Sequence, residues 1–160
     1  MDNEDELAEV YVQPGESHLT TGPVILRTLL GSCVGVAFLA LPQGVGALCH
    51  PMLPHCPGED RRQGNPRRYV DYAIHELAQR FDALSIPRSR VVVKLFGGAD
   101  VLQFSGRRGR PTVGRLNCEA ALDVLRDEGF EVAASSLGGN RGLNLRFNTR
   151  TGEVLVRRLN

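Results

Sequence analysis

Two side chains in this sequence have the chemistry for covalent catalysis: the thiol of Cys33, in Leu30-Gly31-Ser32-Cys33-Val34, and the imidazole of His50, in Ala47-Leu48-Cys49-His50-Pro51-Met52. A thiolate is a strong nucleophile, but a free cysteine with a pKa of about 8.5 is mostly protonated at neutral pH. An adjacent imidazole accepts that proton and later returns it to the leaving group. A cysteine on an apolar run is otherwise a small core hydrophobe, so the pair matters only where the fold brings thiol and imidazole together.

For this chemistry to work, the fold must bring the two side chains together. An apolar, partly β-branched run at 24–30 ends at Gly31 and reads as a strand. A second run at 34–41 is closed by Pro42, and a third begins at Gly44, a pattern that predicts a hairpin. Cys33 and His50 then lie at its outer ends. A turn near 42–44 would make them cross-strand neighbours about 5 Å apart.

The remaining elements supply the scaffold. Residues 1–9 carry five acids and no base, which predicts a flexible start, with a short strand at 10–12 and a single domain over 10–160. Residues 51–68, rich in Pro, Gly and Arg, read as an exposed loop. Val70, Ile74, Leu77, Phe81 and Leu84 form the stripe of an amphipathic helix. A buried strand is expected at 91–96, ending in Gly97-Gly98-Ala99-Asp100, followed by a basic loop at 103–111. A second helix is expected at 117–128, stopped by Gly129. Strands at 130–134, 143–147 and 154–156 complete the chain.

Composition narrows the function classes. With 160 residues, 42% of them hydrophobic, and a net charge of +1, the chain supports one buried core and does not call for nucleic-acid binding. No apolar stretch approaches the roughly 18 residues that a membrane span requires. The four cysteines read as reduced thiols, because a core of this size needs no staple. Cys49, His50, His55 and Cys56 offer zinc-type donors, but neighbours on a strand face opposite sides. Gly138-Gly139-Asn140-Arg141-Gly142 lacks the lysine and following helix of a phosphate loop and reads as a tight turn. The pairs Arg61-Arg62, Arg67-Arg68 and Arg107-Arg108 are solvated faces able to select an acidic partner.

Five segments then occur in a telling order: Leu30-Gly31-Ser32-Cys33-Val34, His50-Pro51-Met52-Leu53-Pro54, Lys94-Leu95-Phe96-Gly97-Gly98-Ala99, Gly114-Arg115-Leu116-Asn117 and Gly138-Gly139-Asn140-Arg141-Gly142. Together they resemble the motifs of the CheD family of bacterial chemoreceptor glutamine deamidases. The resemblance implies a single-domain α/β cysteine hydrolase fold with mixed β-sheets and two main helices, similar to the deamidase domain of cytotoxic necrotizing factor toxins. It implies an enzyme that converts chosen glutamines of chemoreceptors to glutamate in chemotaxis adaptation, releasing ammonia. A glutamyl methylesterase side activity would pass through the same thioester. By the same resemblance Cys33 is the nucleophile, His50 the acid–base and Thr28 the residue that orients the imidazole. Gly31 and Ser32 support the oxyanion, and no cofactor or metal is used.

The partners implied are the cytoplasmic helices of chemoreceptors and a CheC-family phosphatase, met in the cytoplasm without nucleic acid or membrane insertion. The alternative is a non-enzymatic adaptor for that phosphatase or for a receptor. A third reading, a zinc-stabilised interaction domain, rests on the Cys49–Cys56 cluster. Ser136 stands where the family carries an aspartate and Leu143 where it carries an arginine, departures that bear on partner contacts and substrate orientation.

Overall fold

The computed structural model describes residues 6–101 and 109–160. Two mixed β-sheets and two helices form three layers. One sheet has the order β1 (Glu9–Tyr11), β3 (Ile25–Leu30), β8 (Leu143–Asn148), β9 (Val154–Arg158). The other has the order β2 (Ser17–Thr20), β5 (Val45–Cys49), β4 (Val34–Ala40), β6 (Val92–Gly97), β7 (Val132–Leu137). Parallel pairs β1/β3 and β6/β7 make both sheets mixed. The five-stranded sheet is the middle layer. The helices α1 (Val70–Ala83) and α2 (Val113–Asp127) cover one of its faces, and the four-stranded sheet covers the other.

This layering explains the sequence pattern. Every residue of β4 and β5 is buried, as expected for strands packed on both faces, so they read as continuous apolar runs. Val34, Val36 and Phe38 face the helices, packing with Ile74, Leu77, Phe81 and Leu125. Ala37, Leu39 and Leu48 face the other sheet, packing with Leu26, Leu30, Leu145 and Phe147. Among the described residues no helix is long and apolar enough to cross a membrane.

Several expected boundaries move. The α1 stripe is buried from Val70 to Phe81, but Leu84 caps the helix and is exposed. α2 starts four residues before Asn117, with Thr112 Oγ1 accepting from the Arg115 N–H at 3.2 Å. Gly114 weakens the helix pattern in that first turn, which the expected helix at 117–128 left out. β7 begins at Val132, because Phe130 instead packs edge-on against Phe38 at 5.4 Å with Arg88 over its ring. The edge strand β2 is mostly polar and lacks the apolar run that marks a buried strand in sequence. Residues 51–68 hold two single turns of 3₁₀ helix, at Gly58–Arg61 and Pro66–Arg68. Arg67 pairs with Glu76, and Arg68 with Asp60, which narrows the free charge expected there. Most of the basic loop expected at 103–111, with Arg107-Arg108, lies outside the described residues, as do residues 1–5 of the acidic start.

α2 is drawn unusually close to the end of β6. A Cβ added at Gly114 would lie 2.5 Å from the carbonyl oxygens of both Gly98 and Ala99. Gly98 has φ +66°, and a Cβ there would lie 2.0 Å from Cys118 Sγ. Gly114→Ala is therefore expected to cost about 1–3 kcal/mol of stability from overpacking against fixed backbone. Gly22→Ala, which meets nothing within 4 Å, should cost almost nothing. Urea unfolding of the two variants checks the contrast.

Candidate active site

The hairpin forms as expected, but its register differs by two residues. Val36 lies opposite Cys49, and the Val34 N–H donates to the Pro51 carbonyl at 3.3 Å, which continues the pairing. Gly35 thus faces His50, and Cys33 is the diagonal neighbour, at roughly 7–8 Å on strand spacing rather than 5 Å. The cause is the connection at 41–44, in which the Gly44 N–H bonds the Leu41 carbonyl at 3.1 Å. It centres the pairing one residue later than the Cys33–His50 midpoint. Both side chains still share a face: Cys33 packs against the inter-sheet cluster, and His50 follows Leu48 on the same side of β5. Cys49 faces the helices instead, so Cys49 and His50 do not converge on one ion.

His50 is 1% exposed and Thr28 fully buried. Thr28 Oγ1 lies 2.6 Å from His50 Nδ1 and 2.7 Å from the Val12 carbonyl oxygen. A hydroxyl has one proton and a carbonyl has none, so Thr28 donates to Val12 and accepts from Nδ1–H. That assigns the neutral tautomer and leaves the Nε2 lone pair available as a base. The contact also ties the two sheets together, since Thr28 sits on β3 and His50 follows β5. The His50 backbone is held as well: its N–H bonds the Glu16 carbonyl at 3.0 Å and its carbonyl accepts from Gly15 at 2.8 Å.

The turn carrying the thiol is fixed through its carbonyls. Gly31 C=O accepts from the Ala99 N–H at 2.9 Å, and Cys33 C=O from the Gly98 N–H at 2.8 Å. Ser32 C=O accepts from Asn117 Nδ2, also at 2.9 Å. In a trans peptide the N–H of the next residue points opposite to the carbonyl, so the N–H groups of Ser32 and Cys33 are directed away from this scaffold. Gly97, with φ +102°, is required here, because a Cβ would lie 2.3 Å from the Cys33 carbonyl oxygen.

All four cysteines carry free thiols, and Cys33 alone among them is not buried. Burial pushes the Cys49 thiol up to about 12, which makes it inert. The Cys33 thiol is also raised, chiefly by desolvation and opposed by its own N–H. Burial lowers His50 to about 4. Both shifts favour a resting pair of neutral thiol and neutral imidazole.

The His50 shift has a consequence for stability. As pH falls, the unfolded chain binds this proton near 6.5 and the folded chain only near 4. Stability is therefore full above about 6.5 and is lost down to about 4, by on the order of 3 kcal/mol. His50→Gln should remove that part of the pH dependence, read from denaturant unfolding of both proteins between these limits.

Asn117 lies in the Gly114-Arg115-Leu116-Asn117 segment, and its sequence position alone assigns it no role. The available signal was a polar residue on the buried face of a helix, aligned with Gly114, Ala121 and Leu125. Gly138-Gly139 is a turn as expected, with φ of +80° and +77°. Its Gly138 N–H bonds the Gly97 carbonyl at 2.9 Å, and its Gly139 carbonyl accepts from Asp100 at 2.8 Å. Leu143 is buried opposite Leu30, and Ser136 pairs with Phe96 in the β6/β7 register.

Comparison with known proteins adds the lineage. Residues 52–158 match the family model described as CheD chemotactic sensory transduction. The chain belongs to the CheD family. It is 43% identical over 155 residues to a probable chemoreceptor glutamine deamidase CheD 2 of Geobacter sulfurreducens, covering 97% of this chain and 92% of that one. A probable chemoreceptor glutamine deamidase CheD of Maridesulfovibrio salexigens is 33% identical over 165 residues, with 98% and 95% covered. The fold is shared with YlmD from Geobacillus stearothermophilus, at TM-score 0.52 and 16% identity, covering 77% of this chain and 50% of that one. This CheD-family chain thus spans about half the length of that solved structure. The family-model match begins just after His50 and so does not include Thr28, Cys33 or His50.

Proposed function

We propose that this chain is a protein-glutamine deamidase that converts glutamine side chains on the cytoplasmic helices of chemoreceptors to glutamate, acting in the cytoplasm as a single domain. The observation that carries the reading is the Thr28 hydroxyl, which is committed to the Val12 carbonyl and so holds Nδ1–H of His50. The Nε2 base is thereby fixed on the face shared with the least buried thiol.

In this mechanism His50 Nε2 takes the Cys33 proton as sulfur attacks the side-chain carbonyl carbon. The N–H groups of Ser32 and Cys33 receive the oxyanion. Collapse breaks the C–N bond, and His50 gives its proton to the departing ammonia, leaving a thioester. Water, deprotonated by His50, hydrolyses the thioester to glutamate and restores the thiol. A glutamyl methyl ester would enter the same path with methanol leaving.

The surroundings suit a macromolecular substrate. Leu29, Met52 and Val101 are exposed apolar residues next to the Gly31 turn, and the cavity beside that turn, of about 330 Å³, is open and includes Arg141. An amphipathic helix presenting acids fits such a rim. A CheC-family phosphatase is the further partner that the resemblance implies. The test is intact-mass analysis of a purified receptor cytoplasmic domain after incubation with the enzyme. Each deamidation adds about one mass unit, as NH2 becomes OH. An unchanged receptor mass with folded enzyme would overturn the reading.

A further inference from the structure

We propose that Asn117 is a positioning residue that sets the alignment of the Cys33 thiol with the His50 imidazole. The inference rests on the reading of those two residues as a working pair and adds a third element that holds them. Asn117 is fully buried, and its Nδ2 donates both protons, one to the Ser32 carbonyl and one to the Met52 carbonyl, each at 2.9 Å. Ser32 immediately precedes the nucleophile. Met52 lies two residues beyond His50 and opposite Cys33 in the continued β4/β5 register. One amide therefore spans the two chain segments whose separation decides whether sulfur and imidazole meet.

Two acceptors facing the same end fix the amide orientation, because a flipped side chain would set Oδ1 against two carbonyl oxygens. The cost of this arrangement is visible: Asn117 Oδ1 is buried with no hydrogen-bond partner among the described residues. Only a side chain with two donors on one atom satisfies both carbonyls, and asparagine does so at the expense of its own oxygen. The glycine contacts serve the same end. Gly114 and Gly98 let α2 approach the 97–99 segment at backbone distance, and that approach brings Asn117, one turn further on, into reach of Ser32.

The test is a graded series. Asn117→Asp is isosteric, and a carboxyl buried among carbonyls is protonated, so it keeps one donor. Asn117→Leu keeps none. A misplacement of about 1 Å can cost on the order of 100-fold in rate, so kcat per folded molecule is expected to fall roughly 10-fold for Asp and 100-fold for Leu, with KM changed less than about 3-fold. Alkylation of Cys33 by iodoacetamide across pH, followed by peptide mass, supplies the second readout. For both variants the profile should move toward that of His50→Gln, in which the thiol reacts unassisted.

A purely structural role predicts lowered melting temperatures with kcat and the alkylation profile of wild type. That result, in Asn117→Asp above all, overturns the proposal. Alkylation needs no glutamine, so the two readings fail separately. A wild type that does not deamidate, while the variants still shift the profile, would remove the deamidase reading and keep the positioning role.

Discussion

Cys33→Ala is expected to abolish glutamine hydrolysis while leaving the fold intact, with a rate loss of at least about 10⁴-fold, the scale seen when a covalent nucleophile is removed. The fold should survive because Cys33 is the one thiol not buried, and its turn is held through the carbonyls of Gly31, Ser32 and Cys33, by Ala99, Asn117 and Gly98 respectively, rather than by its side chain. Alanine at Cys49, Cys56 or Cys118 removes a buried sulfur and should lower stability, with turnover per folded molecule kept. Receptor deamidation measured beside circular dichroism separates these outcomes. Full activity in Cys33→Ala would rule out Cys33 as the nucleophile.

The second large effect lies at His50. His50→Ala removes both the acceptor of the thiol proton and the donor to ammonia, so a loss on the order of 10²- to 10⁴-fold is expected. Thr28→Ala should cost less, roughly 3- to 100-fold, through a mis-set tautomer and a loosened ring. It also strands the buried Val12 carbonyl and Nδ1–H, at about 1–3 kcal/mol of stability. Thr28→Ser keeps the hydroxyl and should recover most of both losses. Deamidation rates and unfolding midpoints across the three variants check the ranking. A Thr28→Ala enzyme equal to wild type in both would remove its orienting role.

Parts of this arrangement were legible in the sequence for physical reasons. The β4/β5 hairpin announced itself because strands buried on both faces need unbroken apolar runs, and α1 because one covered face imposes a 3.6-residue stripe. The register could not be read, because it depends on how four residues at 41–44 close, and a shift of one residue in the centre of the turn moves the pairing by two. Gly114 hid the first turn of α2, since a glycine weakens a helix pattern even where close packing requires it. Thr28 on a β-branched strand reads as an ordinary strand former, and its contact with His50, 22 positions away, is visible only in three dimensions. Asn117 carries no local signal of its two distant carbonyl partners, which are 85 and 65 positions away in sequence.

The central claim is a thioester on Cys33, and hydroxylamine tests it most directly. This small nucleophile competes with water for an acyl-enzyme, so receptor incubated with wild-type enzyme and rising hydroxylamine should acquire hydroxamate in place of glutamate at the same residue. Cys33→Ala should yield neither product. Glutamate alone at saturating hydroxylamine, or hydroxamate formed equally by Cys33→Ala, would contradict the mechanism.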